Sequence, residues 1–295
     1  MKWTIQEVHT GMILRDYLRN EQGFSRRILK SLIYDGGKIC VNDKEENLRY
    51  VLQTGDTISL EFPLEIKGNH MKAENVPIEI VYEDNDVLVI NKQAGVATIP
   101  SLHHPSGTIA NGVLYHYEQH HIPYTIHVVT RLDRDTSGLL LIAKHRYSHS
   151  ILSKAQKAGQ VKRTYYAVIQ GVLANLKGTI DENIGRKEDS IVERMVRSDG
   201  QRAITHYEVM KDNSIHSLVK VQLETGRTHQ IRVHFSYIGH PLAGDDLYGG
   251  KKDVIYRQAL HCYQLEFEHP LTKKRLVFAS RLPEDMKKIL PDELV

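Results

Sequence analysis

The chain has few of the features that mark secreted, metal-dependent or membrane proteins. Only two of its 295 residues are cysteines, Cys40 and Cys262, and neither has metal-ligand spacing around it. A disulfide framework or a structural zinc site is therefore not expected, and both thiols are predicted to be buried in a reducing compartment. No basic and apolar signal segment opens the sequence, and no apolar run reaches about 18 residues, the length of a membrane span. We expect a cytoplasmic protein without a membrane partner.

An excess of charge of one sign is also missing. The net charge of +3 permits nucleic acid as a partner without requiring it, because a local basic face matters more than the total. Hydrophobic residues make up 41% and charged residues 25% of the chain, as in ordinary soluble globular proteins. A chain of 295 residues can form one substantial core and a small accessory domain.

Residues 1–62 are predicted to form a small α+β module. Apolar positions at helical spacing predict a helix at residues 11–18, and a second helix at Arg26–Tyr34 follows the N-cap candidate Ser25. The second helix is predicted to bury one apolar stripe, formed by Ile28, Leu29, Leu32 and Ile33. Three basic side chains gather on its other side: Arg26, Arg27 and Lys30. A solvated helix face would explain them as well as a nucleic-acid contact does.

Residues 63–77 are predicted to be a polar linker ahead of a main domain at residues 78–295. Histidines are frequent from His103 to His127, and two of them, His116 and His120, are four apart and would share a helix face. That spacing suits metal ligands, but no third ligand is evident. An exposed helix end followed by a loop is therefore preferred, and no metal site is predicted.

A charged loop between two apolar, strand-like runs is the central feature of the main domain. The runs predict two strands, and Gly138 supplies backbone freedom where the loop returns to the second strand. A carboxylate near the low-dielectric end of two strands must be paired or hydrogen-bonded. A corner with surface ion pairs is the alternative interpretation. Four charged residues fall within five positions of this loop: Arg131, Asp133, Arg134 and Asp135.

Several segments of the main domain resemble, in order and spacing, the signature motifs of the RluA/RluD family of pseudouridine synthases. The three longest are RLDRDTSG at residues 131–138, KRTYYA at 162–167 and GRTHQIRVH at 226–234. Two shorter segments, NKQAG at 91–95 and GDDLY at 244–248, also match. One departure is Thr130, where the family most often has His.

The N-terminal module resembles the S-four-type (αL) RNA-binding module, through LRDYL, SRRILKSLI, GKICVN and GDTI. Together the two resemblances imply an α+β fold: a mixed, mainly antiparallel sheet with helices packed on it, preceded by the small α+β module. The active site would lie in a cleft across the sheet.

The resemblance also implies roles for individual residues. Asp133 would be the essential carboxylate, attacking the uridine or abstracting a proton. Arg232 would pair with Asp133 and keep it ionised and aimed, and Tyr165 would stack on the target base or carry a proton. Arg131 would fill the space left by the flipped base, with Asp135 as a partner that fixes the loop. RNA phosphates would be met by Arg26, Arg27 and Lys30.

The implied partner is structured RNA, by family habit large-subunit rRNA, with tRNA as an alternative. An isomerisation involves no redox change and no external nucleophile, so no metal or organic cofactor is implied. We expect a monomer without an obligate protein partner.

Two other functions compete. A non-catalytic RNA-binding protein on the same fold would lack one of the three catalytic residues. A hydrolase with a Ser137, His229 and Asp133 triad would place the serine in a Gly-x-Ser-x-Gly elbow, but Asp135 and Leu139 stand at the glycine positions.

Overall fold

Two β-sheets, each with its own hydrophobic core, dominate the computed structural model, which describes residues 1–65, 71–101 and 104–290. Part of the predicted linker, residues 66–70, lies outside the described residues, as do His103 and residues 291–295. Within the described ranges, no helix combines the length and the apolar character that a membrane crossing requires.

The N-terminal sheet has four strands in the order β1-β4-β2-β3, all antiparallel. Ser25 caps α2, since its hydroxyl accepts a hydrogen bond of 3.2 Å from the Ile28 backbone N–H, which confirms the predicted helix start. The elements are β1 (Lys2–Thr4), α1 (Leu14–Asp16) with a π-helical turn at Tyr17–Glu21, α2 (Arg26–Tyr34), β2 (Lys38–Val41), β3 (Lys44–Glu45) and β4 (Thr57–Glu61).

Two burial predictions for this region are wrong. Ile33 is 47% exposed, because at about 100° per residue it lies some 140° around the helix from Ile28. Cys40 is only half-buried, because alternate residues of β2 face opposite sides and Ile39 and Val41 take the core positions. Cys262 is buried, as predicted.

The large sheet has ten strands and is mixed but mainly antiparallel, which confirms the predicted fold class. Eight strands follow the order β10-β13-β14-β9-β15-β8-β6-β5, while β16 pairs with β15 and β7 with β8. The strands are β5 (Glu79–Glu83), β6 (Val87–Lys92), β7 (His127–Val128), β8 (Ser137–Ala143), β9 (Lys162–Gln170), β10 (Lys177–Asp181), β13 (Ile204–Asp212), β14 (His216–Leu223), β15 (Leu260–Glu268) and β16 (Arg275–Ala279).

In the described part of the chain, the remaining elements are the two-stranded ribbon of β11 (Ile184–Arg186) and β12 (Arg194–Val196), two 3₁₀ turns at Glu7–His9 and Asp246–Tyr248, and four α-helices. The helices are α3 (Ile109–Gln119), α4 (Arg146–Lys157), α5 (Gln230–Tyr237) and α6 (Glu284–Lys287).

The parallel pairing of β8 with β15 sets the backbone at the start of β8. Gly138 has φ +110°, and a Cβ there would come 2.2 Å from the Cys262 carbonyl oxygen. A glycine is therefore required by both conformation and space. β8 itself is buried along its whole length, as expected for a nearly continuous apolar run in a sheet covered on both faces.

Helix α4 connects the two sheets. The ring of Tyr147 belongs to the N-terminal core, lies 4.3 Å from the Phe24 ring between centroids, and its hydroxyl donates to the Gln22 carbonyl at 2.9 Å. On the linker, the Glu65 carboxylate lies 2.7 Å from His127 Nε2 and accepts from the Arg146 backbone N–H. The N-terminal sheet is thus packed against the large sheet through aromatic and ionic contacts.

Candidate active site

Asp133 lies on the loop between β7 and β8, and the backbone on both sides of it is anchored. The Thr98 hydroxyl donates to the Leu132 carbonyl at 2.8 Å and accepts from the Leu132 N–H at 3.2 Å. On the other side, Lys92 Nζ donates to the Arg134 carbonyl at 2.8 Å. The carboxylate is therefore presented by a loop with little freedom to move.

Lys92 is almost fully buried, at 1% exposure, and acts as a clamp on this loop. Its ammonium donates two further hydrogen bonds of 2.8 Å, to the carbonyls of Gln93 and Val96, so its three donors are all used. Burial lowers the pKa of Lys92 to about 7, against the opposing charges of Asp135 and Asp133.

Thr130, to which the sequence assigned no role, and Asp135 both have partners in the structure. The buried Thr130 hydroxyl accepts from the Leu141 N–H at 2.9 Å, which extends the pairing of β7 with β8. Asp135 pairs at 3.0 Å with Arg134, whose side chain is half-exposed. The Asp135 pair joins two neighbouring residues of the loop, and its part in fixing the loop stays a prediction; Lys92, Thr98 and Thr130 hold the loop by its backbone.

Arg232, from the buried face of α5, connects two carboxylates. Its Nη1 lies 3.2 Å from Asp133 Oδ2, while Nε and Nη2 form a two-pronged pair with Asp245 at 2.7 Å each. The Asp245 side chain is 1% exposed and that of Asp133 31%. Burial disfavours the charged guanidinium, but the hydrogen bonds and charges of Asp245 and Asp133 outweigh it and raise the pKa of Arg232.

Tyr165 lies on β9 and faces the same cavity as Asp133. It is 4% exposed and pairs across the sheet with Val221 and Cys262. Burial raises the pKa of Tyr165 well above its usual range and that of the Cys262 thiol to about 12. The phenol is therefore neutral at physiological pH and presents a flat ring with one proton.

These residues surround a cavity of about 500 Å³, within the usual range for small-molecule sites. Asp133 is the one carboxylate among the described residues that line it, and the exposed Arg131 lies on its wall. Five lining residues are arginines: Arg131, Arg134, Arg163, Arg227 and Arg232. A cavity with this excess of positive charge attracts anionic groups such as phosphates.

The predicted basic group of the N-terminal helix is not part of this cavity. Arg26, Arg27 and Lys30 are exposed on α2, and none is among the residues that line the cavity. The structure thus brings Asp133, Arg232, Tyr165 and Arg131 together and leaves the second basic group on a separate surface.

The hydrolase triad considered from the sequence does not assemble. Ser137 is buried in β8, and its hydroxyl lies 2.9 Å from Nδ1 of His261. Nε2 of that imidazole lies 2.9 Å from the Ser280 hydroxyl. His229 is instead placed against Tyr248, with its Nε2 3.8 Å from Asp133. Ser137 is therefore not activated by His229.

Two histidine groups outside the cavity have structural partners. His116 Nε2 lies 2.8 Å from the Glu83 carboxylate, which also accepts from Lys144. Asp84, Asp86 and His269 bring possible ligand atoms within 4.8 Å of one another. His269 Nδ1 accepts from two backbone N–H groups, so its Nε2 carries the proton and donates to Asp84. These contacts anchor the turn between β5 and β6.

Four residues of the site were not assigned from the sequence: Lys92, His229, Asp245 and Tyr248. All four lie in segments that resemble family motifs, at residues 91–95, 226–234 and 244–248. Motif membership was thus the available signal, but it did not distinguish buried Asp245 from its exposed neighbour Asp246.

Comparison with known proteins agrees with the geometry. A sequence model of the RNA pseudouridylate synthase family matches residues 86–237. Uncharacterized RNA pseudouridine synthase YjbO of Bacillus subtilis is 52% identical over 282 residues, covering 96% of this chain and 99% of that protein. Ribosomal large subunit pseudouridine synthase D of Pseudomonas aeruginosa is 38% identical over 275 residues, covering 88% of this chain and 85% of that protein.

Among solved structures, human RNA pseudouridylate synthase domain containing 1 superposes with a TM-score of 0.59 at 26% identity, covering 71% of this chain and 85% of that chain. The family match spans the charged loop, strand β9 and the whole of helix α5, which carry Asp133, Tyr165 and Arg232. The chain therefore belongs to the RNA pseudouridylate synthase family, as an RluA-type enzyme that isomerises uridine to pseudouridine in RNA.

Proposed function

We propose that the chain modifies uridines of large-subunit ribosomal RNA and that Asp133 is the reacting carboxylate. Relatives named ribosomal large subunit pseudouridine synthase D, 38% identical to this chain in Pseudomonas aeruginosa and in Vibrio parahaemolyticus, support the RNA class, with tRNA as the alternative. The observation that carries the catalytic assignment is that Asp133, the one carboxylate that lines the arginine-rich cavity in the described part of the chain, is held by a buried arginine.

The reaction rearranges the uridine without a net gain or loss of atoms. The bond between N1 and the ribose C1′ breaks, the base turns, and C5 bonds to C1′; C5 then loses a proton and N1 gains one. Asp133 acts in its ionised form, either attacking the uridine or abstracting a proton. Arg232 serves both routes, because its guanidinium holds one oxygen of the Asp133 carboxylate at 3.2 Å.

Tyr165 contacts the target base, and Arg131 contacts the RNA around the space that the base leaves. The buried, neutral ring of Tyr165 offers a stacking face and a hydroxyl that can donate a proton. A uridine stacked in structured RNA must be flipped out at a cost of a few kcal/mol. Arg131 is exposed on the cavity wall, where a planar cation can fill the space left in the stack and contact phosphate.

The catalytic assignment is tested by Asp133→Asn, with Asp135→Asn as the control two positions along the same loop. We expect Asp133→Asn to abolish tritium release from C5-labelled uridine in rRNA while RNA binding is retained, because the amide is neither a nucleophile nor a base. Asp135→Asn should keep most of the turnover. Full turnover by Asp133→Asn would refute the role of this carboxylate.

We further propose that residues 1–62 are an αL-type RNA-binding module, joined by a linker at 63–77 to a catalytic domain at 78–295. The separate N-terminal core and the exposed basic face of α2 support this division. The basic face carries Arg26, Arg27 and Lys30 above a helix whose other side is buried. RNA phosphates fit such a surface without sequence recognition.

The module is tested by Arg26→Ala combined with Arg27→Ala. Loss of two phosphate contacts should reduce the slope of log K against log salt by about 1.4 to 1.8, with unchanged turnover at saturating RNA. Lys273→Ala with Lys274→Ala, at the turn before β16, removes the same charge and should leave the slope unchanged. An unaltered slope in the arginine variant would contradict the proposal.

We propose that the enzyme acts in the cytoplasm and as a monomer, as expected from its sequence. Light scattering of the purified protein checks the oligomeric state, and a stable dimer at micromolar concentration would contradict it.

A further inference from the structure

His229, at the start of α5, has an unusual backbone. Its φ is 57° and ψ 19°, in the left-handed region, which costs a residue with a Cβ about 1 kcal/mol or more. N-cap residues are normally extended and bond the helix N-terminus through the side chain, but His229 makes no such bond to the described residues of its helix. Strain of this kind is retained where it places a side chain for a purpose.

The strained backbone places the imidazole of His229 between two functional groups. Nδ1 lies 2.7 Å from the Tyr248 hydroxyl, and Nε2 lies 3.8 Å from Oδ2 of Asp133. Arg232 Nη1 approaches this same oxygen at 3.2 Å. Nε2 of His229 and Nη1 of Arg232 therefore both face Oδ2 of Asp133, which leaves Oδ1 available to the substrate.

Hydrogen bonding favours one tautomer of His229. The Tyr248 hydroxyl already accepts from the Arg194 backbone N–H at 2.9 Å, and by donating its own proton to Nδ1 of His229 it uses its donor as well. The neutral imidazole then carries its proton on Nε2, facing Asp133. The opposite tautomer would turn a nitrogen lone pair toward the carboxylate, which is repulsive.

Tyr248 is held firmly enough to enforce this arrangement. Its backbone carbonyl accepts from the Ser236 hydroxyl at 2.8 Å, and the Arg232 guanidinium lies 4.9 Å from its ring centroid. Burial raises the pKa of Tyr248 to about 12, so the hydroxyl keeps its proton. Burial lowers the pKa of His229; the charges of Asp133 and Asp245 oppose this and those of Arg232 and Arg194 reinforce it.

We propose that Tyr248 and His229 are positioning residues that present an imidazole N–H to Oδ2 of Asp133, so that Oδ1 reacts. This inference rests on the proposed role of Asp133. The 3.8 Å separation is longer than a hydrogen bond, and closure of the cavity on RNA brings the two atoms into bonding distance, as catalytic contacts commonly tighten in the substrate complex.

The kinetic test uses His229→Asn, because Asn tolerates the left-handed backbone, and His229→Gly as a second variant that folds without strain. We expect each to lower kcat for tritium release about 10- to 100-fold with KM for rRNA changed less than threefold. Tyr248→Phe should lower kcat too, and the Tyr248→Phe, His229→Asn double variant should be no slower than His229→Asn alone. His206→Asn, at a half-buried position of β13 that does not line the cavity, is the control and should keep wild-type kcat.

A second measurement is independent of activity. In protein labelled with 15N-histidine, the resonances that disappear in His229→Asn should show Nε2 protonated and Nδ1 unprotonated, and Tyr248→Phe should disturb them. A protonated Nδ1, or an unchanged kcat in folded His229→Asn, would overturn the inference. If Asp133→Asn keeps full turnover, the proposed function fails instead, while the tautomer result still stands.

Discussion

The buried pair of Arg232 with Asp245 is expected to stabilise both the fold and the geometry of Asp133. Asp245→Asn removes the charge and turns an amide NH2 toward one guanidinium N–H. Arg232, whose side chain is 8% exposed, then keeps Asp133 as its counter-charge and loses one of two hydrogen bonds of 2.7 Å.

The size of the effect follows from burial. Breaking a buried ion pair costs about 3 to 5 kcal/mol, and because the amide oxygen still accepts one hydrogen bond we expect about 3 kcal/mol. In a domain of this size that lowers the melting temperature by about 6 to 12 °C. The neighbouring Asp246→Asn breaks only an exposed pair with Lys252, worth less than about 1 kcal/mol, and should shift melting by less than about 4 °C.

Thermal unfolding followed by circular dichroism compares the two variants, and tritium release at 25 °C compares their turnover. Asp245→Asn should also lower kcat, because a guanidinium freed from Asp245 moves onto the Asp133 carboxylate and occupies the reacting oxygen. Equal melting temperatures for the two variants would refute the energetic argument, and wild-type kcat in Asp245→Asn would refute the geometric one.

Three further outcomes are expected. Gly138→Ala should lower the free energy of unfolding, measured in urea, by more than about 3 kcal/mol. The reason is that Gly138 has φ +110° and the added Cβ would lie 2.2 Å from the Cys262 carbonyl oxygen. A loss below about 1 kcal/mol would contradict this close approach. Burial, aided by the charge of Arg257, lowers the pKa of His261 to about 4, below the unfolded value of about 6.5. The stability gained by burying neutral His261 is therefore fully present above pH 6.5, and about 3 kcal/mol of unfolding free energy should be lost as pH falls toward 4. His261→Gln should flatten the dependence of unfolding free energy on pH in this range. The same slope in the variant and the wild type would contradict this role of His261. Ellman's reagent should modify one thiol per native chain, the half-buried Cys40, and reach the buried Cys262 only on unfolding; two rapid equivalents would show that the β8 and β15 pairing opens readily.

The sequence predicted the fold well where periodicity and burial coincide. The apolar run of β8 and the capped helix α2 were identified because a nearly continuous apolar segment and a Ser N-cap each have one dominant structural solution. Ile33 was wrongly predicted to be buried, because a short helix buries a narrower stripe of side chains than the spacing of its apolar residues suggests. Cys40 was wrongly predicted to be buried because the two faces of β2 differ in burial, and alternation alone does not say which residue is inside.

The candidate site was predictable only as far as motif resemblance reached. Asp133 and Arg232 are 99 positions apart, and no local rule pairs them. The roles of Lys92 and Asp245 depend on which side chain is buried, which is set by the packing of β6 and of the loop after α5. The backbone hydrogen bonds that Lys92 and Thr98 make to the central loop were not predicted either, because their donors lie more than 30 positions away in the sequence.

The unequal sharing of Arg232 suits the proposed role of Asp133 as the reacting carboxylate. A carboxylate in a two-pronged pair with an arginine is well stabilised but has both oxygens occupied. Here Asp245 takes that arrangement at 2.7 Å and is buried, whereas Asp133 receives one contact of 3.2 Å and remains 31% exposed. Asp245 thus fixes the guanidinium so that it orients Asp133 by one oxygen, and the other oxygen stays open to the cavity where the uridine is expected to bind.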